Sequence, residues 1–287
     1  MLERWAKPLS GLSNALARLM DAIFRPLGRP GKLLQDFLNG SWLGHSVHPV
    51  VTDVVVGGAT GAVLLQVLIW FGVTDLDVAL IWLLGLTWLS ALSAVVTGLT
   101  DFKDTATGDE RNVVGLHGEI NILATVLFIA AFGAAVAGAS GAAAWFLVAG
   151  YLVLTVGAFI GGHVVYKYGY MVNFNAFTRS KRAKEFIAVL PVADLPEATP
   201  TRAALGATGL VLVRRGDVVY ALKETCPHAG GPLAEGHLDG DTIVCPWHGS
   251  ALRLSDGAVR HGPSTSRQVA YRARINGEQV EVQGPIA

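Results

Sequence analysis

The chain has 287 residues, of which 52% are hydrophobic and 15% charged, with a mean hydropathy of +0.46. Soluble globular domains carry about 25% charged residues, so composition excludes a wholly soluble protein. The balance of 22 Lys+Arg against 22 Asp+Glu removes the basic footprint that would point to nucleic acid.

Charge is unevenly placed: residues 54–166 hold nine charged residues in 113 positions, whereas residues 181–287 hold 23 in 107. The chain opens MLERWAKPLS, without a signal peptide's apolar run or a twin-arginine pair, so no export of the C-terminal half by an N-terminal signal is expected. Within residues 1–40, Leu2, Trp5, Leu9, Leu12, Leu16, Leu19 and Ile23 recur at spacings of three and four, opposite Arg4, Lys7, Arg18 and Arg25. This pattern predicts an amphipathic helix lying in the membrane interface, although three heptads could also form a coiled-coil seam. Pro8 is expected to delay its start, and Pro26 and Pro30 to end it.

Residues 41–170 read as a transmembrane domain of four helices, near 48–72, 77–100, 113–137 and 142–166. Each is long enough for about 30 Å of hydrocarbon, which takes roughly 20 helical residues. The long charge-free run from Ile120 to Tyr166 divides at Gly138-Ala139-Ser140-Gly141. Small residues such as Gly57-Gly58-Ala59-Thr60-Gly61 suit close helix packing in lipid. Lys and Arg cluster before the first helix, in the second loop (Lys103, Arg111) and after the fourth (Lys167, Arg179, Lys181, Arg182, Lys184). The first and third loops carry none, so the expected location is the cell (inner) membrane, with both termini and the polar domain cytoplasmic. Lys167, Tyr168 and Tyr170 read as interfacial anchors.

After a linker at 171–185, the apolar period changes to two. Leu210–Arg214 and Val218–Leu222 flank Arg215-Gly216-Asp217, while Tyr271–Ile275 and Gln279–Val282 flank Asn276-Gly277, a strong hairpin signal. Residues 186–287 are therefore expected to form an all-β domain.

The chain's two cysteines both fall in this domain, in Cys226-Pro227-His228 and Cys245-Pro246-Trp247-His248-Gly249. Each motif offers one thiolate and one imidazole, so two loops could bring four metal ligands together. Zinc accepts the same donor set. The spacing resembles the Rieske [2Fe-2S] proteins, in which two cysteines bind one iron and two histidines the other. The resemblance implies that Cys226 and Cys245 hold the buried iron, and His228 and His248 the exposed one. Rieske proteins of bc complexes carry two further cysteines, where Gly231 and Trp247 stand here, so the domain is more similar to the ferredoxin and oxygenase type. The resemblance also implies that Ser250 donates a hydrogen bond to a bridging sulfide and that Gly262-Pro263 shields the cluster. Leu252 stands where high-potential members have a tyrosine. That loss predicts a potential in the lower part of a range of about −150 to +300 mV. His237 and His261 read as solvated loop residues.

Histidines in lipid are costly and raise a functional hypothesis. Predicted topology places His45, His48, Asp101, His117 and His163 toward one end of the bundle, with Asp53, Glu119 and Asn121 at a similar level. His48, His117 and His163 are candidate ligands for haem b or a second metal, and interhelical hydrogen bonding is the alternative. Gly44-His45-Ser46-Val47-His48-Pro49 followed by four apolar helices resembles an uncharacterised bacterial membrane family with a G-H-x-x-H-P start.

The expected fold is thus a four-helix transmembrane bundle followed by an all-β Rieske-type domain. The expected function is single-electron transfer at the cytoplasmic face, to or from a haem, metal or quinone site. A membrane oxidoreductase acting on a lipid-soluble substrate and a redox sensor are the alternatives. Implied partners are the lipid bilayer and an unidentified redox donor and acceptor, with no nucleic acid.

Overall fold

The computed structural model describes residues 2–105, 109–176 and 183–286. Arg179, Lys181 and Arg182, part of the expected positive flank, lie outside the described residues. The chain divides into two compact units, residues 1–31 with 46–168, and residues 32–45 with 169–287.

The first unit begins with α1 (Leu2–Ala6) and α2 (Ser10–Phe24), joined by a 3-10 turn containing Pro8. Its four long helices are α4 (Val47–Trp70), α5 (Asp77–Lys103), α6 (Asp109–Val136) and α7 (Ser140–Tyr168), all long and apolar enough to cross a membrane. α4 packs along α5, α5 along α6 and α6 along α7, and α7 closes on α4, so α4 and α6 stand diagonally. Backbones approach where side chains are small: a Cβ at Gly58 would lie 2.7 Å from Thr87 Oγ1, and one at Gly150 only 2.9 Å from the Phe128 ring. The core around Phe128, Leu84 and Leu147 is fully buried, while Trp82, Trp145 and Phe159 are exposed on the outer face, as lipid contact requires.

The N-terminal helix presents a different face inward from its leucine stripe. Ala6, Ser13, Ala17, Met20 and Phe24 are buried, whereas Trp5, Leu12, Leu19 and Ile23 remain exposed. α2 packs on α5 and α6, and Ser13 Oγ donates to Glu119 Oε1 at 2.8 Å. Glu3 Oε1 accepts from Lys167 Nζ and Tyr168 Oη, both at 2.7 Å, tying α1 to the end of α7.

As expected, α2 ends at Phe24, just before Pro26, but Pro30 does not end helical structure. Pro26 lies in a second 3-10 turn, and Pro30 in the first turn of α3 (Gly28–Asn39), where its missing N–H has no intrahelical acceptor to lose.

The second unit contains an antiparallel six-stranded sheet, in spatial order β1 (Ile187–Pro191), β10 (Gln279–Gln283), β9 (Ala270–Asn276), β4 (Val218–Lys223), β3 (Thr208–Arg215) and β2 (Thr201–Leu205). A smaller antiparallel sheet runs β5 (His237–Asp239), β6 (Thr242–Val244), β7 (Ala251–Arg253) and β8 (Val259–His261). Both expected hairpins form, with Arg215 opposite Val218 and Asn276 opposite Gln279. Leu233, Ile243 and Leu252 form a core that includes both cysteines.

Residues on either side of the bundle in sequence also belong to this unit. Asn175 Nδ2 donates to Thr225 O at 3.1 Å and to Gln268 Oε1 at 2.9 Å, and Phe174 N–H donates to Pro227 O at 2.9 Å. The start of the expected linker is therefore fastened to the β domain.

Candidate metal centre

The two cysteine–histidine motifs occupy loops with the same backbone closure. After β4, Gly230 N–H donates to Cys226 O at 2.9 Å and Cys226 N–H to Gly231 O at 2.8 Å. Between β6 and β7, Gly249 N–H donates to Cys245 O at 3.1 Å and Cys245 N–H to Ser250 O at 2.9 Å. Each turn requires left-handed backbone four residues after its cysteine, supplied by Gly230 at φ +81° and Gly249 at φ +76°. Glycine takes this conformation without Cβ strain.

These turns aim backbone donors at sulfur. The N–H groups of His228 and Ala229 face Cys226, and those of Trp247 and His248 face Cys245. Cys226 and Cys245 are 1% and 3% exposed. Their mutual hydrogen bond pulls the Cys245 thiol down, while the same contact, reinforced by burial, pushes Cys226 up. A Cβ at Gly231 would stand 2.7 Å from Cys245 Sγ, so the first loop passes the second cysteine with no room for a side chain.

The half-buried rings of His228 and His248 have centroids 5.0 Å apart and planes at 87°. Two imidazoles on one tetrahedral metal, with bonds of about 2.0–2.1 Å and ~1.1 Å from nitrogen to ring centre, give about 5.1 Å between centroids. Burial, then His248, holds His228 at about 4, so its imidazole is neutral at pH 7 and keeps a lone pair. The two cysteines meet each other and the two histidines meet each other, and a two-iron cluster takes its ligands in such pairs. The donor set and its pairing therefore fit [2Fe-2S].

Ser250 is fully buried, and its Oγ accepts from Ser264 N–H at 3.0 Å. Pro263, also buried, belongs to the loop joining β8 to β9. Asp36, from α3, fixes the start of this loop: Asp36 Oδ2 meets His261 Nδ1 at 2.6 Å, and Gly262 N–H donates to Asp36 Oδ1 at 2.8 Å. His261 is thus held by a carboxylate, not simply solvated, while His237 is exposed. Sequence reasoning did not identify Asp36, 225 residues away from His261, nor Trp247 as a surface residue. Trp247 is 55% exposed and edge-on to His248, with centroids 6.3 Å apart.

In the bundle, His48 and His117 meet, with ring centroids 6.2 Å apart. His163 packs edge-on against Tyr168 at 5.6 Å. Asp101 Oδ2 accepts from Ser46 Oγ at 2.6 Å, whereas His45 and Asp53 are exposed. Asn121 Nδ2 donates to His117 O at 2.7 Å.

Comparison with known proteins agrees with both halves. The Rieske [2Fe-2S] domain family matches residues 185–273, and the family described as "Predicted membrane protein (DUF2231)" matches residues 44–173. Ferredoxin CarAc of Metapseudomonas resinovorans is 34% identical over 100 residues, covering 34% of this chain and 94% of that protein. The anthranilate 1,2-dioxygenase ferredoxin subunit of Burkholderia cepacia is 29% identical, covering 31% of this chain and 82% of its own. Among solved structures, the ferredoxin of carbazole 1,9a-dioxygenase from Nocardioides aromaticivorans IC177 aligns with 26% identity and a TM-score of 0.34, covering 35% of this chain and 98% of that one. By its match to the Rieske [2Fe-2S] domain model and its likeness to ferredoxin CarAc over nearly that protein's whole length, the chain belongs to the Rieske [2Fe-2S] family, with its Rieske domain joined to a DUF2231 membrane domain.

Proposed function

We propose that this protein is a membrane-anchored carrier of single electrons, working at the cytoplasmic face of the cell membrane between a redox donor and an acceptor. The helical bundle serves either as its anchor alone or also as a second redox station, at a haem, metal or quinone site. The observation that carries this reading is the division of the ligands by burial. Cys226 and Cys245 are 1% and 3% exposed, while His228 and His248 are half-buried beside exposed Trp247.

When bound, the cluster supplies one-electron chemistry. The chain fixes where that chemistry reaches the surface. Cys226 and Cys245 anchor the buried side through backbone-supported thiolates, and the imidazole edges of His228 and His248 form the contact with a partner. Trp247 gives that contact an apolar neighbour. Asp36 and Ser250 hold the Pro263 loop that shields the cluster. Relatives named as ferredoxins, one of them the ferredoxin subunit of an anthranilate 1,2-dioxygenase, support a carrier role. The Lys and Arg flanking the bundle support the cytoplasmic assignment.

Low-temperature EPR of the dithionite-reduced, detergent-purified full chain, with an iron assay, tests the centre. A Rieske signal with about two irons per chain is expected, and bound zinc without that signal overturns the reading. Sidedness is tested by protease treatment of spheroplasts and inverted vesicles. Cleavage of the C-terminal domain only in inverted vesicles is expected, and cleavage in intact spheroplasts refutes the assignment.

A further inference from the structure

The bundle contains one local arrangement twice. His48, in the first turn of α4, places Nδ1 2.9 Å from Ala94 O on α5, and His117, on α6, places Nδ1 2.9 Å from Gly157 O on α7. In both cases a glycine lies four residues beyond that carbonyl and against the ring. A Cβ at Gly98 would be 2.8 Å from His48 Cε1, and one at Gly161 would be 2.7 Å from His117 Cε1. The pair α4–α5 therefore repeats in α6–α7, and the two histidines approach across the bundle from diagonal helices.

Nδ1–H bonding to a carbonyl selects the tautomer whose Nε2 carries a free lone pair, the usual preparation of a metal-ligating histidine. The ring planes stand at 88° with centroids 6.2 Å apart. Two imidazoles on opposite sides of one metal, with bonds of about 2.0–2.1 Å and ~1.1 Å from nitrogen to ring centre, require about 6.3 Å. The pair thus has the spacing of a nearly linear N–metal–N unit, against the tetrahedral spacing of His228 and His248.

A bare ion seldom rests on two neutral ligands, and among the described residues no third His, Cys, Asp or Glu joins them on one point. Iron in a porphyrin already has four equatorial nitrogens and needs only axial ligands, for which imidazole is common. A helical bundle is also a frequent place for such a cofactor.

We propose that His48 and His117 are the two axial ligands of a single haem b held between α4 and α6, with Ala94 and Gly157 orienting the rings and Gly98 and Gly161 making room for them. The inference deepens the proposed function and rests on it only for the redox role of the bundle; haem binding is a separate claim. His163, beside Tyr168, is not a ligand in this arrangement.

The test uses the full chain, produced in a haem-replete host and purified in detergent. Its readouts are a reduced-minus-oxidised optical spectrum, a pyridine haemochrome assay, and EPR of both redox centres. About one low-spin haem per chain is expected. Rings near perpendicular predict a highly anisotropic ferric signal with one large g value. His48→Ala and His117→Ala should each lower haem occupancy at least about tenfold, and Gly98→Ala should weaken it by displacing the ring. The Rieske EPR signal should survive in all three as evidence of folding, and His163→Ala should retain haem.

An intact Rieske signal with no haem, even after titration with hemin, overturns this inference and leaves the carrier reading standing. Haem retained in the His48→Ala/His117→Ala double variant overturns the ligand assignment, as does copper or zinc bound in its place. Loss of the Rieske signal from the parent protein would instead refute the carrier reading.

Discussion

Replacing Ser250 by alanine separates two roles of one hydroxyl. Ser250 and Ser264 are 0% and 1% exposed, and the Ser264 N–H donates to Ser250 Oγ at 3.0 Å. Removing Oγ strands that buried N–H, at a cost of about 1–3 kcal/mol in folding stability. The hydroxyl accepts this bond, and on the proposed reading its own proton is donated to a bridging sulfide of the bound cluster. A hydrogen bond to a charged acceptor contributes about 1.5–3 kcal/mol and strengthens as sulfur gains negative charge on reduction. If about 1–2 kcal/mol of it distinguishes the reduced from the oxidised state, Ser250→Ala lowers the potential by about 40–90 mV, since tenfold in a one-electron equilibrium is 59 mV. The assay is a redox titration followed by visible circular dichroism, alongside thermal melting, with Ser250→Thr retaining the hydroxyl as control. A destabilised Ser250→Ala protein whose potential stays within about 10 mV of the parent would refute the sulfide contact and leave Ser250 as a brace for the Pro263 loop.

Cys226→Ser and His228→Ala should each abolish the Rieske EPR signal and reduce iron from about two per chain to near zero. Far-ultraviolet circular dichroism should stay near parental, and full iron retention in either variant would contradict the pairing. Asp36→Ala removes the partners of His261 and Gly262 together, so hydrogen exchange at the Gly262 amide should accelerate by about one to two orders of magnitude, corresponding to a loss of about 1–3 kcal/mol; unchanged protection would show that α3 does not fasten this loop. Asp256 accepts from Arg253 Nε at 2.7 Å and from a second guanidinium nitrogen, which holds its carboxyl at about 2 against an ordinary 3.8. Its folded-state value is depressed, so the stabilisation is complete above the ordinary value and fades as pH falls through about 2. Melting curves of the parent and Asp256→Asn should therefore differ near neutrality and converge at low pH, and a constant difference down to pH ~2 would contradict the linkage.

The membrane spans were legible because runs such as Val78 to Thr100 leave no charged residue to break the hydropathy signal. Their ends were less so. α6 starts at Asp109, four residues before the expected 113, and α5 continues to Lys103, because hydropathy marks the hydrocarbon boundary while a helix runs on through polar turns. The hairpin at Asn276-Gly277 was readable from turn chemistry, but β5 to β8, each three residues long, are too short to establish a period. The four positions proposed as cluster ligands were visible as local motifs with distinctive spacing. The carboxylate of Asp36 carries no such signal, since nothing near it in sequence refers to a loop 225 residues later. The N-terminal helix shows why amphipathicity alone does not assign a face. Its leucines mark an apolar side, but Ser13 and Ala17 let α2 approach α5 and α6 closely, leaving the leucines for the outside.

The matched closure of the two ligand loops bears on speed as well as shape. A redox centre whose ligands must shift when its charge changes meets a nuclear barrier at every electron it passes. Here both cysteines are tied through their own N–H and C=O groups to residues four and five positions ahead. A unit of charge gained or lost therefore meets a frame with few soft internal coordinates. Loosening either closure, for instance by giving Gly230 or Gly249 a side chain that resists its positive φ, should slow electron exchange more than it shifts the driving force.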